Sequence, residues 1–332
     1  MSPKPSKTVL ITGGNGALGS HIAFAIAKAH PEVFFILTAR RDNDVQAKKI
    51  STQLRDEGVT AFEFLTLDLA RFASVRAFAA KVAEKVQSGN TPPIVVQVNS
   101  AAYSSYQMDE KTGDGFDPVY QTNVLSPILL TALLLKGAFQ MDRGTPRGKV
   151  INITSQSVSL GKVDFFDTWG PTEQNPVGSR LPFMQGLTRY GSSKLLADLV
   201  MYTVREKMLK AGIESVNIFS LDPGGMHHNS NLSRGTMPTV MQFTATVLSI
   251  LGPLARRFQK SIINHPRVPA AAVAKTAFDA STEGGNKEVY FVLDDEIGLT
   301  RISKAMQEHQ DEVLERVLRE TGISIEQFTA WP

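Results

Sequence analysis

The sequence of 332 residues contains no cysteine. This absence excludes disulfide bonds, thiolate nucleophiles and cysteine-based metal sites, and it is typical of proteins from a reducing compartment. Net charge is also nearly absent, because 35 Lys and Arg residues are set against 32 Asp and Glu residues. The resulting charge of +3 is too small and too dispersed for a nucleic-acid-binding surface, so we predict no nucleic-acid partner.

Long hydrophobic runs are the third absence. Residues 1–7 are polar and lack the apolar core of a signal peptide. The least polar later stretch, residues 237–254, contains Pro238, Gln242, Gly252 and Pro253, which do not suit a membrane-spanning helix. We therefore predict a cytoplasmic protein with no transmembrane span, and the stretch 237–254 leaves a peripheral contact with a membrane open.

What the sequence does contain is a regular alternation of short apolar runs with longer segments of helical periodicity, which is typical of βαβ units. Seven strands are predicted, at residues 8–12, 33–38, 61–67, 94–99, 149–154, 215–221 and 289–293. We predict an α/β fold in which a doubly wound, mainly parallel, seven-stranded sheet (a Rossmann fold) has helices on both faces. It forms a single domain over residues 1–332.

Two stretches interrupt this alternation, at about residues 160–188 and 225–267, and both are longer than ordinary connections within a compact domain. We predict that they are substrate-side insertions. The first contains the aromatic residues Phe165, Phe166, Trp169 and Phe183, and the second contains an apolar run at 240–254. These residues indicate a bulky, apolar substrate, and ordinary core and lid packing is the alternative interpretation.

A glycine-rich segment lies between the first predicted strand and the first predicted helix. Glycines in this position allow the backbone to approach a pyrophosphate, whose charge is stabilised by free N–H groups at the start of the helix. We predict cofactor contacts from Gly13, Asn15, Gly16, Ala17, Leu18 and Gly19. A purely structural turn is the alternative.

Two arginines, Arg40 and Arg41, follow the second predicted strand, where a site for NAD usually places an acidic residue. A guanidinium group suits the 2′-phosphate of NADP because it carries a permanent charge and several fixed donors. The pair therefore predicts a preference for NADP(H) over NAD(H). The alternative is a solvated basic strand end with Asp42 and Asp44 nearby.

Further cofactor contacts are predicted at the ends of later strands. Asp68, followed by Leu69, is placed either to accept a hydrogen bond from an adenine amino group or to cap the next helix. The remaining predicted contacts are Asn99, Ala101, Pro223 and Gly224. A Pro-Gly pair is a turn by default, so a direct cofactor contact from Pro223 and Gly224 stays open.

Tyr190 and Lys194 begin a segment of helical periodicity. A step of four residues places both side chains on one helical face, about 6 Å apart along the axis. A nearby ammonium group favours the phenolate and lowers the pKa of a tyrosine, which would suit a residue that gives a proton to a carbonyl oxygen. Because this spacing also occurs on ordinary solvated helices, its meaning depends on the residues around it.

Three features accompany the pair: Ser155 follows the fifth strand, Asn99-Ser100-Ala101-Ala102 closes the fourth, and Asn123 lies between them. In this order and spacing the sequence resembles the short-chain dehydrogenase/reductase family, from Lys7 to about Met226. The segment Leu67-Asp68-Leu69-Ala70 is similar to the retinol-dehydrogenase and carbonyl-reductase branch.

The resemblance implies an NAD(P)-dependent oxidoreductase that transfers a hydride between its cofactor and a CH–OH or C=O group. The family's catalytic set falls on Asn123, Ser155, Tyr190 and Lys194, and the last two would also contact the cofactor. Tyr190 would be the acid/base, Ser155 would hydrogen-bond the substrate oxygen, and Lys194 would contact the nicotinamide ribose. Asn123 would hold a water of the proton relay with its amide.

From these features we predict an NADPH-dependent carbonyl reductase, or the reverse alcohol dehydrogenase, acting on a hydrophobic secondary metabolite, steroid or lipid. Two alternatives remain. Gly16 creates the spacing Thr-Gly-x-x-Gly-x-x-Gly, which is typical of nucleotide-sugar epimerases and dehydratases, and the family also contains non-catalytic NADPH-binding regulatory proteins.

Three smaller predictions follow from single features. The long gap between Ser155 and Tyr190 makes Ser157 the fallback for the serine position. His227 and His228 are adjacent, which is unfavourable for shared metal ligation, so we predict substrate contact or loop polarity and no metal. The apolar helical segments 129–139 and 195–208 are compatible with a homo-oligomer formed helix to helix, and equally with core packing.

Overall fold

The computed structural model describes residues 5–108, 111–139, 148–167, 170–174, 176–226, 264–279, 290–293, 295–296 and 308–330. Its centre is one mixed sheet. The strands are β1 (Lys7–Ile11), β2 (Val33–Ala39), β3 (Phe62–Thr66), β4 (Ile94–Asn99), β5 (Gly148–Ile153), β6 (Val216–Asp222), β7 (Tyr290–Val292) and β8 (Asp295–Glu296).

The strand order is β3-β2-β1-β4-β5-β6-β7-β8. Strands β1 to β7 pair in parallel, which confirms the predicted doubly wound sheet of seven parallel strands. The two-residue β8, antiparallel to β7, was not predicted because so short a run has no periodicity. Every residue of β4, β5 and β6 is buried, as expected for strands that are covered on both faces.

The main helices are α1 (Ala17–Ala29), α2 (Val45–Asp56), α3 (Phe72–Gln87), α4 (Pro118–Tyr120), α5 (Ser126–Gly137), α6 (Phe183–Lys210), α7 (Arg267–Phe278), α8 (Gln310–Thr321) and α9 (Glu326–Thr329). A π-helical turn, Gln121–Leu125, joins α4 to α5, and a 3₁₀ turn, Gln156–Leu160, follows β5. Helices α1, α2 and α7 contribute to one core cluster, and α3, α5, α6, α8 and α9 to the other.

The C-terminal helices α8 and α9 pack on the outer side of α5 and α6. Val313, Val317 and Phe328 are buried in the same core cluster as Leu129 and Val200. In the structure, the protein's own C-terminal helices therefore cover part of the face that the sequence analysis considered for a helix-to-helix subunit contact.

The continuous helical segment Pro118–Gly137 is long and apolar enough to span a membrane by length and composition alone. Within the protein, 83% of its apolar window is buried. Burial of this extent is typical of a helix in the core of a folded protein.

The two predicted insertions differ in how much the structure describes. In the first, residues 178–181 pair through backbone hydrogen bonds with residues 106–108, which follow β4. Most of the second, residues 227–263, lies outside the described residues, as do Trp169, His227, His228 and the run 240–254. Its two ends meet, because Asn264 N–H donates to Gly225 O at 2.6 Å.

Candidate active site

A cleft of about 980 Å³ runs along the carboxyl ends of the parallel strands. All of the predicted site residues except Asn99 and Asn123 line it. They are Gly13, Asn15, Gly16, Ala17, Leu18, Gly19, Arg40, Arg41, Asp68, Leu69, Ala101, Ser155, Tyr190, Lys194, Pro223 and Gly224. The sheet order brings these residues together, since the strand ends of a parallel sheet share one edge.

The glycine-rich loop has the shape that a pyrophosphate requires. Gly13 has a φ of 67°, and a Cβ on Gly19 would lie 2.4 Å from Gly13 O, so neither position accepts a side chain. Helix α1 begins at Ala17 with no side-chain cap and no acidic residue in its first turn. Its first N–H groups and its positive dipole end therefore suit a bound anion, and the loop fits the phosphates of a dinucleotide.

Two threonines that the sequence analysis did not select hold this loop in place. Gly13 N–H donates to Thr38 Oγ1 at 3.0 Å, and Ala101 N–H donates to Thr12 Oγ1 at 3.0 Å. The hydroxyls thereby connect the loop to the ends of β2 and β4. The sequence signal that could have identified them is their position, since each threonine is adjacent to the last residue of a buried apolar strand.

Arg40 and Arg41 are exposed at the rim of the cleft. The carboxylates nearby are otherwise engaged: Asp44 caps α2 by accepting from Ala47 N–H at 2.8 Å, and Asp42 accepts from the Thr66 hydroxyl. Among the described residues, neither guanidinium has an ion-pair partner. The arginines are thus placed to meet a phosphate at the end of β2.

Asp68 lines the cleft, and its carboxylate accepts from Ala70 N–H at 3.1 Å. It does not cap α3, because Arg71 is the N-cap residue. The N–H of the first helical residue, Phe72, donates to Asp114 Oδ2 at 2.7 Å. Of the two interpretations of Asp68, the helix cap is therefore wrong.

The turn after β6 has a structural explanation of its own. Gly224 has a φ of 69°, and its N–H donates to Asp222 Oδ1 at 2.8 Å. Pro223 and Gly224 also line the cleft. Asn99 lies beneath the cleft, where its Oδ1 accepts from Gln97 Nε2 at 2.9 Å and its Nδ2 has no partner among the described residues.

Ser155 and Tyr190 meet in the cleft although 35 positions separate them, and a pair of glycines makes this approach possible. A Cβ on Gly191 would lie 2.2 Å from Ser157 O, and one on Gly161 would lie 2.7 Å from Gly191 O. The 3₁₀ turn after β5 therefore packs directly against the backbone of α6. The chain between them loops away, as the long gap in the sequence required.

Of the two candidate serines, Ser155 lines the cleft. The Ser157 hydroxyl donates to Ser155 Oγ at 3.0 Å, and Ser157 N–H approaches the same oxygen at 3.3 Å. Because Ser155 Oγ accepts these contacts, its own proton is available to a ligand in the cleft.

Lys194 is buried, and its ammonium donates to Ile153 O, at the end of β5, at 2.8 Å. Burial lowers the pKa of Lys194 to about 8, and the charge of Asp198 acts in the opposite direction. The side chain is therefore predominantly an ammonium group at neutral pH.

The pKa of Tyr190 shifts in the direction opposite to the sequence prediction. Burial raises it, and the carboxylates of Asp222 and Asp198 raise it further. Lys194 does not reverse this, because its ammonium is bonded to Ile153 O and lies 5.8 Å from the centre of the tyrosine ring. Tyr190 is thus a protonated phenol at neutral pH.

Asn123 bridges two elements and does not line the cleft. Its Nδ2 donates to Tyr103 O at 2.8 Å and to Ser193 Oγ at 2.9 Å, and its Oδ1 accepts from Tyr103 N–H at 2.8 Å. Both N–H donors are used, so a water can reach this amide only through Oδ1, and the relay role of Asn123 stays a prediction. The side chain joins the segment after β4 to α6.

An ion pair between the buried Arg189 and the partly buried Asp117, next to the catalytic candidates, was also missed. Arg189 is 0% exposed and makes two hydrogen bonds to Asp117 Oδ2, at 2.6 and 3.1 Å. It also donates to Gln107 O at 2.8 Å. Asp117 caps α4, so this pair ties the start of α4 to the residue before Tyr190.

The structure describes three of the four aromatic residues of the first insertion, Phe165, Phe166 and Phe183. Phe166 stacks on Tyr120 with ring centres 4.8 Å apart, and Phe183 stacks on Tyr106 at 5.9 Å. No described residue of 160–188 lines the cleft. In the structure these two stacked rings therefore pack against the protein, and the substrate-side role of the insertion stays a prediction.

The fold, the glycine loop and the cleft define a dinucleotide-binding α/β protein, and comparisons with known proteins agree. The sequence model of the family described as short chain dehydrogenase matches residues 7–165. The short-chain dehydrogenase iccH of Talaromyces variabilis is 26% identical over 329 residues, covering 87% of this chain and 88% of that protein. The chain belongs to the short-chain dehydrogenase/reductase family of NAD(P)-dependent oxidoreductases.

One further relative has a name from the branch that the sequence resembles, and one solved structure shares the fold. Retinol dehydrogenase 13 of Mus musculus is 32% identical over 239 residues, covering 69% of this chain and 64% of that protein. The crystal structure of NADPH-bound carbonyl reductase from chicken fatty liver has a TM-score of 0.59 at 17% identity, covering 89% of this chain and 99% of that chain. This second likeness shows the shared fold.

Proposed function

We propose that the chain is an NADPH-dependent carbonyl reductase, or the reverse alcohol dehydrogenase, acting on a hydrophobic secondary metabolite, steroid or lipid. One observation carries the proposal: Ser155, Tyr190 and Lys194 line the same cleft as the glycine-rich loop and Arg40. Strands β1 and β4 separate β2 from β5. Three strand spacings of about 4.8 Å thus give about 14 Å between Arg40, which follows β2, and Ser155, which follows β5. This distance suits an extended dinucleotide.

When bound, NADPH supplies the hydride for the carbonyl carbon. The Tyr190 hydroxyl donates the proton to the carbonyl oxygen, which becomes the alcohol, and the Ser155 hydroxyl donates a hydrogen bond to the same oxygen. The raised pKa of Tyr190 keeps the phenol protonated at neutral pH, so the proton that reduction consumes is in place; the same shift makes the phenol a weaker acid. The Lys194 ammonium, with one donor used on Ile153 O, has others for the hydroxyls of the nicotinamide ribose.

The preference for NADPH rests on Arg40 and Arg41. Replacing them with Asp and Ser is expected to raise the KM for NADPH on the order of 100-fold, because charge-assisted hydrogen bonds to the 2′-phosphate are lost. The KM for NADH should change much less. Initial rates with both cofactors measure the effect.

The matched control for this double variant is Lys48→Asp with Lys49→Ser. It makes the same change in charge on exposed positions of α2 that do not line the cleft. If both double variants raise the KM for NADPH equally, general electrostatics is responsible and the arginines do not contact the phosphate.

The proposed substrate class rests on the cleft wall and on the relatives. Ala102, Tyr103, Pro118 and Met226 line the cleft together with Ser155 and Tyr190, and they offer apolar surface. The relative named retinol dehydrogenase 13 carries the name of an apolar alcohol. Both observations favour a hydrophobic ketone or aldehyde.

The test of this function is a screen of the purified protein with NADPH against hydrophobic ketones and small hydrophilic ketones. Turnover is monitored as the loss of NADPH absorbance at 340 nm. We expect kcat/KM to be at least about tenfold higher for the hydrophobic compounds. Reduction of hydrophilic ketones alone would contradict the substrate class. Binding of NADPH without any turnover would favour a regulatory protein, and interconversion of nucleotide sugars without net NADPH consumption would favour an epimerase.

We also place the enzyme in the cytoplasm as part of this proposal. The support is the lack of cysteine and the burial of the long apolar helix Pro118–Gly137. A peripheral membrane contact through residues 237–254 belongs to the same proposal, and these residues lie outside the described part of the chain.

A further inference from the structure

A buried carboxylate lies one helical turn beyond Lys194 on α6. Asp198 is 1% exposed in an otherwise apolar stretch of the helix. It accepts hydrogen bonds from Asn152 Nδ2 at 3.0 Å, from Ser220 Oγ at 2.7 Å and from the Thr154 hydroxyl. A carboxylate is seldom buried so completely without a specific role, and the mechanism proposed above does not use this one.

Asp198 belongs to a set of contacts that places α6 on the end of β5. Ile153 O accepts from the Lys194 ammonium, and the next residue, Thr154, donates to Asp198. The residue after that is Ser155, which lines the cleft with Tyr190. The contacts of Lys194 and Asp198, one turn apart on α6, therefore fix the position of the helix along its axis and its rotation relative to β5.

The charge of Asp198 faces Lys194 along the same side of α6. Four-residue steps put the tyrosine, the lysine and the carboxylate on one helical face. The strand groups that bond Asp198 are uncharged. The titratable groups around it are Tyr190 and Lys194 on its own helix and, at the end of β6, Asp222, which acts on the tyrosine. Asp198 is the carboxylate whose charge acts on the ammonium.

We propose that Asp198 is a positioning residue of the active site, which keeps the buried Lys194 ammonium charged and seated at the end of β5, and so keeps Tyr190 beside Ser155. The inference rests on the proposed function and deepens it. Burial disfavours an ammonium group, and a fixed carboxylate on the same face opposes that effect. The opposing actions of burial and of Asp198 on the pKa of Lys194 agree with this role.

The test is the variant Asp198→Asn, which keeps the size of the side chain and removes its charge. The ¹³Cε resonance of Lys194, assigned by its loss in Lys194→Met, is titrated in cofactor-free protein. In the parent protein we expect a midpoint of about 8. In Asp198→Asn it should fall on the order of one pH unit, because the ammonium has lost its counter-charge. An unchanged midpoint in a folded variant overturns the proposal.

A second readout is the pH profile of kcat/KM for ketone reduction. Loss of Asp198 lowers the pKa of Lys194 and removes a charge that raises the pKa of Tyr190, so both effects move the alkaline limb to lower pH. A purely structural defect would lower the rate equally at every pH. Ser220→Ala is the matched control, because it removes one donor to the same carboxylate and leaves the charge, so the limb should not move.

The parent protein provides a measurement that does not depend on the folding of a variant. Burial raises the pKa of Asp198 to about 6. The Lys194 resonance should therefore show a small additional inflection near that pH, and a flat curve there overturns the proposal. Because these titrations need no turnover, a protein that reduces no ketone would refute the proposed function and leave this inference standing on its own result.

Discussion

Tyr190→Phe is expected to lower kcat for carbonyl reduction by about 10²- to 10⁴-fold and to change the Kd for NADPH far less, because most of the predicted cofactor contacts remain. The phenol is the proposed proton donor, and its removal leaves the glycine loop and both arginines intact. Turnover is measured at 340 nm and cofactor affinity by fluorescence titration. The melting temperature shows whether the fold is retained.

The control for this variant is Tyr202→Phe, on the same helix and away from the cleft. It should keep nearly full activity. If Tyr190→Phe were also active, the proton would come from another group, and the proposed mechanism would be wrong. If both variants bound NADPH and the parent protein showed no turnover, the non-catalytic alternative would be favoured.

Gly191→Ala is expected to lower kcat/KM by about 100-fold and the free energy of unfolding by about 1–3 kcal/mol. The new Cβ would lie 2.2 Å from the backbone oxygen of Ser157, which has no flexible end that could move aside. The 3₁₀ turn and α6 must then separate, and this moves Ser155 away from Tyr190. Steady-state kinetics and thermal unfolding measure the two effects.

Gly170→Ala is the matched control for this prediction. It lies in the first insertion, its added Cβ meets no atom of the described residues within 4 Å, and we expect parent-like kinetics. NADPH affinity should change little in either variant, because the glycine loop lies at the other side of the cleft. Full activity of Gly191→Ala would show that the approach of the two backbones is not needed for catalysis.

Much of the fold was predictable because it depends on local patterns. Buried parallel strands are continuous apolar runs, and the helices between them have their own periodicity, so the seven parallel strands followed from the sequence. The glycine loop followed as well, since a backbone that approaches a phosphate excludes side chains. The branch resemblance was carried by short motifs that lie at strand ends.

Local patterns did not show the contacts whose partner is distant in the sequence. The amide donors of Asn123 bond to Tyr103 and Ser193, which are 20 and 70 positions away. The pKa of Tyr190 depends on burial and on Asp222, 32 positions away. The rings of Phe183 and Phe166 pack against Tyr106 and Tyr120, and neither phenylalanine lines the cleft.

The distribution of charge illustrates the same division. The sequence shows that 67 charged side chains, 35 basic and 32 acidic, nearly cancel, and this alone argues against a nucleic-acid surface. It does not show that Asp198 and Arg189 are buried beside the catalytic candidates. By itself the sequence determined the fold class, the family and the residues at the strand ends, because these depend on periodicity and local motifs. Only the tertiary structure decided which of these residues share a cleft and which charges act on them, because burial and distance arise when distant segments pack together.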